Sequence, residues 1–417
     1  MLSALQHYGR LVRMFSELSP RVLPLLVVGS VSAGLATLAH ADEADVINFS
    51  ATSSTLRDDN LYRAPKGGAT PIVSDVIQTS TLGLRLKKKF SLQELSANVS
   101  LADTRYRDHD ALNRKAFNYD ARWAWGLTRR LTGDLSVDHA EAQNSFSQYQ
   151  YQASNQRNTR TTESQRFNLD YWMHSSWHAI GGVYRQSMSN ELAVYEESDF
   201  EVTGAYLGVR FAPSSGNSLS LKIKQSEGRY VKRAFNTALQ FDNAYSEPGY
   251  DLAVDWRLSG KTSVNATVGY LSREHEHFSS RDYQGWTGQM GVRYNLTAKT
   301  VLAANYQRGL AAAQSNTNSY TVLDDYSLNA QWQATQKIGL GASLAYSKRS
   351  YLGEIVPLAP GTERRIDRQR RAGLNMNWKP TRWLDVRTGF EAEQRDSTGT
   401  QFDYLDRRWT LAATANF

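Results

Sequence analysis

The chain closes with one alternating stretch, Arg408-Trp409-Thr410-Leu411-Ala412-Ala413-Thr414-Ala415-Asn416-Phe417. Its odd-numbered positions are all apolar or aromatic, and its even-numbered positions are polar except for Ala412. Successive side chains of a β-strand point to opposite faces, so the pattern predicts a strand with one apolar and one polar face. Such a strand suits a position between lipid and water, as in the wall of a transmembrane barrel.

The same alternation recurs along the chain. Clear examples cover residues 219–224, 264–271, 326–332 and 384–393. No long segment shows the 3.6-residue apolar period of an amphipathic helix. Soluble β-sandwiches also alternate, so periodicity alone leaves both architectures open.

The connections between these segments decide between the two architectures, because they alternate between two lengths. The short ones are 128–132, 174–176, 213–217, 259–261, 297–299, 334–336 and 380–382, and the long ones include 144–162, 187–200, 228–250 and 351–369. A sandwich has no reason to sort its connections in this way, whereas bacterial outer-membrane barrels do. We therefore predict an all-β fold, a transmembrane antiparallel β-barrel of about 18 strands with short periplasmic turns and long extracellular loops.

Aromatic side chains agree with contact to outer-membrane lipid. Six of them precede short turns on the apolar face of their segments: Trp125, Phe211, Trp256, Tyr294, Trp332 and Trp378. In a barrel they would form one interfacial girdle. Phe417 on the closing strand resembles the terminal signal recognised by the bacterial barrel-assembly machinery. We expect that machinery to be a partner during biogenesis.

The amino-terminal 41 residues have the layout of a secretory signal peptide. Arg10, Arg13 and Arg21 precede the apolar run 22–39, which ends in the small-residue site Ala39-His40-Ala41. Cleavage near Ala41 leaves residues 42–417 as the barrel, in the outer membrane of a Gram-negative bacterium. An uncleaved anchor helix is less favoured, because a proline and small polar residues interrupt the run.

Composition excludes several classes of protein. The 417 residues contain no cysteine, which excludes a disulfide scaffold. Only one stretch is apolar enough to span a bilayer as a helix, which excludes a polytopic helical protein. An aromatic content of 11% argues against a disordered chain. The net charge of +7 is spread over many segments, so we expect no nucleic acid as a partner.

A short motif suggests a family. The segment Leu56-Arg57-Asp58-Asp59-Asn60-Leu61-Tyr62-Arg63 resembles the D-D-N-L-F-R stretch of the exopolysaccharide-biosynthesis outer-membrane proteins linked to exosortase-type gene clusters. That family belongs to a wider β-barrel porin group. Tyr62 stands where the family usually has Phe. Further similar stretches cover residues 215–219, 255–261, 382–384 and 402–417.

The resemblance implies a role in exopolysaccharide biosynthesis or export, as a passage or docking point for the polymer. Exopolysaccharide and periplasmic export components would then be partners. The family brings no established catalytic residues. At the motif positions Asp58, Asp59 and Asn60 we expect turn chemistry rather than catalysis.

Strand parity predicts which charged side chains line the lumen. They are Arg122, Asp170, Arg210, Lys222, Lys224, Asp255, Arg257, Arg293, Asp385, Arg387, Glu391, Glu393 and Arg395. Charge suits a water-filled interior, because a basic side chain on the lipid side costs about 2–4 kcal/mol at the midplane. Two interpretations stay open. Opposite charges pair and keep the interior polar, or arginine and lysine favour a polyanion while aromatic rings stack on sugars.

Metal and catalytic sites are less favoured by the sequence. His275-Glu276-His277 offers two imidazoles around one carboxylate, which is too little for a metal site. Glu196-Glu197 and Asp324-Asp325 offer the paired acids that glycoside hydrolysis needs, but adjacent surface acids are commonly only solvated. We expect no metal, no cofactor and no catalysis. The alternative functions are a porin for small nutrients and, less favoured, an outer-membrane enzyme acting on glycan or lipid.

Overall fold

The computed structural model describes residues 46–68, 71–146, 156–238, 240–312, 318–354 and 363–417. The predicted signal peptide, residues 1–41, lies outside these ranges. Within them, no helix is long and apolar enough to cross a membrane. Short 3-10 turns occur at Asp110–Leu112, Ala193–Ser198, Ser279–Arg281 and Thr400–Phe402.

The described residues form 18 β-strands. The first nine are β1 Ile47–Asp58, β2 Asp75–Phe90, β3 Gln93–Tyr106, β4 Arg114–Gly126, β5 Leu131–Gln143, β6 Thr159–His174, β7 Trp177–Asn190, β8 Phe200–Phe211 and β9 Ser218–Tyr230. The remaining nine are β10 Ala244–Arg257, β11 Thr262–His275, β12 Tyr283–Thr297, β13 Thr300–Ala312, β14 Asn318–Gln333, β15 Ile338–Glu354, β16 Ile366–Trp378, β17 Leu384–Ser397 and β18 Tyr404–Asn416.

The sheet is antiparallel and closes on itself. Each strand pairs with the next in the chain, and β1 also pairs with β18, from Ser50 opposite Asn416 to Asp58 opposite Arg408. Closure removes the two free sheet edges that β1 and β18 would otherwise expose, as a sheet in lipid requires. The predicted antiparallel barrel of about 18 strands is confirmed.

Connections of two kinds separate the two ends of the barrel. Short turns join β2 to β3, β4 to β5 and so on, at the end where β1 begins and β18 finishes; we call this the turn end. The longer connections lie at the opposite, loop end. At the turn end, the Phe49 N–H donates to the Phe417 carbonyl at 2.9 Å, and the Phe417 N–H donates back at 2.8 Å.

The predicted long stretches are wrong at their bounds, because the strands extend further than expected. The connection between β9 and β10 covers residues 231–243 rather than 228–250, and that between β7 and β8 covers 191–199 rather than 187–200. Polar residues at the loop end continue the backbone ladder, since pairing does not require an apolar face outside the lipid layer.

Apolar side chains cover the outer face. Leu82, Leu207 and Leu328 are exposed although each lies in the middle of a strand. The predicted girdle residues Trp256, Tyr294, Trp332 and Trp378 are also exposed and lie next to short turns. A second aromatic row lies nearer the loop end and consists of Tyr270, Trp286, Tyr306, Tyr326 and Tyr346. The ring centroids of Tyr306 and Tyr326 are 4.8 Å apart, and those of Tyr270 and Trp286 are 5.3 Å apart.

Trp125 departs from the expected girdle. It lies on the outer face but is only 7% exposed. Its indole covers Gly133 on β5, where an added Cβ would lie 2.4 Å from the ring, and it stacks on Phe167 of β6 at 5.9 Å. Trp125 therefore fills the gap left by a glycine instead of reaching into a membrane interface.

β12 and β13 pair from the turn end as far as Gly288 and Arg308, and their segments nearer the loop end do not pair with each other. Beyond that point, Val322 of β14 packs with Leu271 of β11 and Tyr283 of β12 in one apolar cluster. Between Gly288 and the turn end, alternation and register assign each side chain to the outer or the inner face of the barrel. The side opposite the exposed apolar residues is the inner face.

Candidate functional site

The register places all thirteen side chains predicted to line the lumen on the inner face. Their neighbours in sequence, such as Leu221 and Ile223 around Lys222, lie on the apolar outer face. The structure divides the thirteen into separate groups on different parts of the wall. They do not form one continuous charged surface.

One group lines a groove of about 790 Å³ that crosses β2 to β10 near the turn end. The groove carries four basic side chains, Lys89, Arg122, Arg210 and Lys222, and four acidic ones, Glu94, Asp134, Asp170 and Asp255. Its formal charges therefore balance. This part of the wall therefore carries no excess of positive charge, which the polyanion interpretation would need.

Most charges in the groove are paired. Asp170 contacts both Arg210 and the His178 ring, whose Nδ1 lies 2.6 Å from Asp170 Oδ1. Arg122 lies 3.4 Å from Asp134. Lys224, just above the groove on β9, lies 3.0 Å from Asp251. Here the pairing interpretation describes the geometry.

Four predicted residues have no such partner among the described residues. No oppositely charged side chain lies within 4.0 Å of Lys222, Asp255, Arg257 or Arg293. Asp255, Arg257 and Arg293 are exposed, and Lys222 is half-buried. These four side chains present uncompensated charge to the lumen.

Aromatic rings on the inner face lie flat against the wall. An added Cβ on Gly182 would lie 2.6 Å from the Tyr206 ring, so that ring occupies the space of a missing side chain. The Tyr206 hydroxyl donates to Asn168 Oδ1 at 2.9 Å, and the Lys222 ammonium lies 4.6 Å from the ring centroid. Arg273 covers Tyr245 in the same way at 3.9 Å. The expected stacking faces for sugars are therefore occupied by cations at Tyr206 and Tyr245.

A second group lies where the barrel closes, on β16 to β18 and β1. We call it the seam cluster: Asp58, Arg63, Arg371, Glu391, Glu393, Asp406 and Arg408. Arg408 lies 3.1 Å from Glu393 and 3.0 Å from Asp406, and it also contacts Glu391. Arg371 lies 2.9 Å from Glu393, which is 4% exposed.

Other predicted residues near the seam are also engaged inside the wall. Arg395 is buried and donates to the Phe402 carbonyl at 2.6 Å. Asp385 is buried and lies 3.2 Å from Arg387. Arg395 and Asp385, like Glu393, are buried in the wall, whereas the Arg387 side chain is 70% exposed and faces the lumen.

The motif residues hold the connection between β1 and β2 against the seam. Arg63 lies 3.0 Å from Asp58 and 3.1 Å from Asp406, which is fully buried. The Asn60 side chain accepts from the Ala64 N–H at 2.8 Å and donates to the Leu405 carbonyl at 2.9 Å. This is turn chemistry of the kind expected for the motif.

Asp59 bonds to the backbone of β18. Its Oδ1 accepts from the Arg407 N–H at 2.6 Å. Burial raises the pKa of this carboxyl above its ordinary value, and the Arg407 backbone bond offsets that only in part. The Asp58, Asp59 and Asp406 carboxylates come within 4.8 Å of one another, and the guanidinium groups of Arg63 and Arg408 form ion pairs with Asp58 and Asp406.

The structure separates the residues of the less favoured catalytic and metal sites. His277 faces Asp242 at 3.3 Å, whereas His275 lies 3.5 Å from Asp282. Asp324 and Asp325 are neighbours on β14 and therefore point to opposite faces, and Asp324 lies 2.8 Å from Arg308. Glu196 lies 2.7 Å from Lys232. None of these pairs places two acids around one space.

Sequence reasoning did not single out a set of uncharged side chains on the inner face. The inner face of β11 to β16 carries exposed side-chain amides at Asn265, Gln289, Asn305, Gln307, Gln331 and Asn375. We call this set the amide wall. Alternation predicts an inward position for each of them, but an uncharged amide has no sequence signal that marks it as a lumen residue.

Comparison with known proteins extends the description of the fold. No family model and no curated protein matches the chain. Among solved structures, it is similar to OccK9 (OpdG) of Pseudomonas aeruginosa, with 11% identity, a TM-score of 0.51, and coverage of 89% of this chain and 98% of that one. It is also similar to OccK2 (OpdF) of the same organism, with 12% identity, a TM-score of 0.50 and the same coverage. At such identities the similarity shows the barrel fold.

Proposed function

We propose that this protein is an outer-membrane channel that lets small hydrophilic solutes pass without catalysis. One observation carries the proposal: a closed barrel has exposed apolar side chains on its outside and a charged, water-accessible groove on its inside. Lipid favours the first surface and water the second. The similarity in fold to OccK9 agrees with this function.

The inner wall favours selection by polarity over selection by charge. The groove has equal numbers of acidic and basic side chains, and most of them are paired. The electric fields of two paired opposite charges largely cancel at distances greater than their separation. Dissolved salt screens what remains over about one Debye length. We therefore expect the channel to discriminate only weakly between anions and cations, with Lys222 and Arg293 giving a small preference for anions.

The role in exopolysaccharide export stays a prediction from the family resemblance. Its motif residues Asp58 and Asn60 are engaged with Arg63, Ala64 and Leu405 inside the chain. They support closure of the barrel and offer no group to a polymer. The porin alternative has the support of the groove.

Reconstitution tests the proposed channel. The mature chain, purified in detergent and inserted into planar bilayers, should give stepwise ion conductance with a permeability ratio near unity for potassium and chloride in molar salt. Bilayers that stay silent, although the protein runs faster on a gel unheated than boiled, would overturn the channel. Deleting the gene distinguishes the two functions, because loss of secreted polysaccharide with normal uptake of small solutes would favour export.

A further inference from the structure

The amide wall is a set of uncharged inward side chains, and the charged residues Arg293 of β12 and Asp325 of β14 lie beside it on the same face. It crosses the strands β11 to β16 about midway between the turn end and the loop end. Its six side chains are all exposed: Asn265, Gln289, Asn305, Gln307, Gln331 and Asn375. Asn305 donates to the Ser327 hydroxyl at 3.1 Å. Among the described residues, the other five side chains have no hydrogen-bond partner, so their donors and acceptors face the lumen.

Register arranges four of these amides in two equivalent rows. Asn265, Gly291 and Asn305 lie directly opposite one another on β11, β12 and β13. Gln331, Gly341 and Asn375 repeat the order on β14, β15 and β16. Each row is an amide, a glycine and an amide.

The glycines make room for the amides. An added Cβ on Gly291 would lie 2.2 Å from Asn265 Oδ1 and 3.2 Å from Asn305 Oδ1. An added Cβ on Gly341 would lie 2.6 Å from Asn375 Oδ1. The amides therefore lean over bare backbone, and a side chain at either glycine would displace them.

We infer that the amide wall is a binding track for neutral polyhydroxylated solutes, that is, for uncharged sugars. A side-chain amide carries both a donor and an acceptor, as a sugar hydroxyl does, so neighbouring amides can exchange paired hydrogen bonds with neighbouring hydroxyls. The amides themselves carry no charge, so they act on the hydroxyls of a solute and not on an ionised group. The inference deepens the proposed channel function and rests on it.

Transport of matched solutes tests the track. Liposomes containing the full chain are tested with glucose and with glycine betaine, which has no net charge and no hydroxyl. The double variant Gln307→Leu/Gln331→Leu should slow glucose about fivefold, as expected for losing one or two neutral hydrogen bonds, and change the entry of glycine betaine less than twofold. Gly341→Ala, which displaces Asn375, should slow glucose in the same direction.

A matched control uses the charged side of the wall. The variant Lys224→Gln/Asp251→Asn removes an ion pair without changing net charge, and its glucose rate should equal that of the wild type. Equal slowing in this control would mean that any change in the lumen affects sugar flux, which would overturn the track.

A second measurement does not depend on transport. Saturation-transfer NMR of a neutral trisaccharide with the detergent-solubilised chain should show contact, and Gln307→Leu/Gln331→Leu should reduce it. No contact, or contact that the variant leaves unchanged, would overturn the inference while ion conductance still supports the channel. Contact in a protein that gives no conductance would instead refute the channel and leave the sugar site standing.

Discussion

The seam cluster and the groove contain the same kinds of residue on the same inner face, yet they differ in burial and in what they contact. In the seam cluster, Asp58, Glu393 and Asp406 are buried, and Arg63 and Arg408 bridge them. In the groove, Arg122 and Asp255 are exposed. The difference teaches that an inward-pointing charged side chain is exposed to the lumen only where no connection between strands covers it.

The covering element is the connection between β1 and β2. Leu61 of that connection packs with Ile77, Tyr106 and Leu112 in an apolar cluster at the loop end. This packing holds Arg63 next to Asp58 and Asp406. The groove lies near the turn end, where the connections are too short to reach into the lumen.

The largest expected effect separates the two regions by stability. Arg63→Ala leaves Asp58 and Asp406 buried without that guanidinium, and breaking a buried ion pair in this way costs about 3–5 kcal/mol. Arg122→Ala in the groove, whose side chain is mainly exposed, should cost less than about 1 kcal/mol. Denaturant unfolding in detergent, followed by the heat-dependent gel shift, measures both.

Equal costs for Arg63→Ala and Arg122→Ala would break the distinction. The double variant Arg63→Met/Asp58→Asn provides a further check, because it removes a charge of each sign. It should recover part of the stability that Arg63→Ala loses, since replacing both partners is less costly than stranding one.

A smaller effect separates paired from unpaired charges in the lumen. Lys222→Gln/Arg293→Gln removes two uncompensated positive charges and should lower the chloride-to-potassium permeability ratio about twofold in dilute salt, with less change in molar salt. Lys224→Gln/Asp251→Asn should leave the ratio within about 20%, because it removes no net charge. Reversal potentials across a salt gradient give both ratios.

If both double variants shifted the reversal potential equally, pairing would not matter and the distinction would fail. If neither shifted it, the conducting path would avoid this wall. Unheated gel mobility provides the control, because both variants keep polar side chains in water and should insert normally.

The smallest expected effect concerns the loop end and depends on pH. The hydrogen bond from Arg157, aided by the Thr159 N–H, lowers the pKa of Glu191 to about 2. A lowered pKa in the folded state stabilises the protein above the unfolded value of about 4.3, and this stabilisation is lost as pH falls toward 2. Once each exchange rate is divided by the intrinsic amide rate at that pH, the protection of residues 156–160 should therefore fall between pH 4.5 and 2.

Glu191→Gln is the control for this pH effect, since it cannot titrate. Its protection near residues 156–160 should be lower than in the wild type at pH 6 and should show no additional change between pH 4.5 and 2. A wild-type profile that matches the variant at every pH would refute the anchoring role of Glu191.

Much of the fold was predictable because alternation reports a local property. Leu221 and Ile223 were placed outside and Lys222 and Lys224 inside from the sequence, and the register agrees. Bounds were less predictable: Tyr351 was placed in a loop but belongs to β15. Backbone pairing continues wherever a neighbouring strand is available, and a single segment does not reveal how far its neighbour extends.

The functional surface was less predictable than the fold. Lys222 and Lys224 look alike in sequence, but Asp251 of the next strand neutralises only Lys224. Trp125 looks like a girdle residue, but Gly133 of β5 provides a gap that it fills. Both outcomes depend on which residue stands opposite, and that is set by register.

The order of side chains along one strand is a covalent property, so the sequence was sufficient for the strand type, the two faces and the alternation of short and long connections. Burial of charge is a property of distance between segments far apart in the chain. Asp58 and Asp406 are separated by almost the whole described chain, and only closure of β1 on β18 brings Arg63 between them. Closure of β1 on β18 therefore creates the buried seam cluster, whereas the groove and the amide wall lie on other strands and stay open to the lumen.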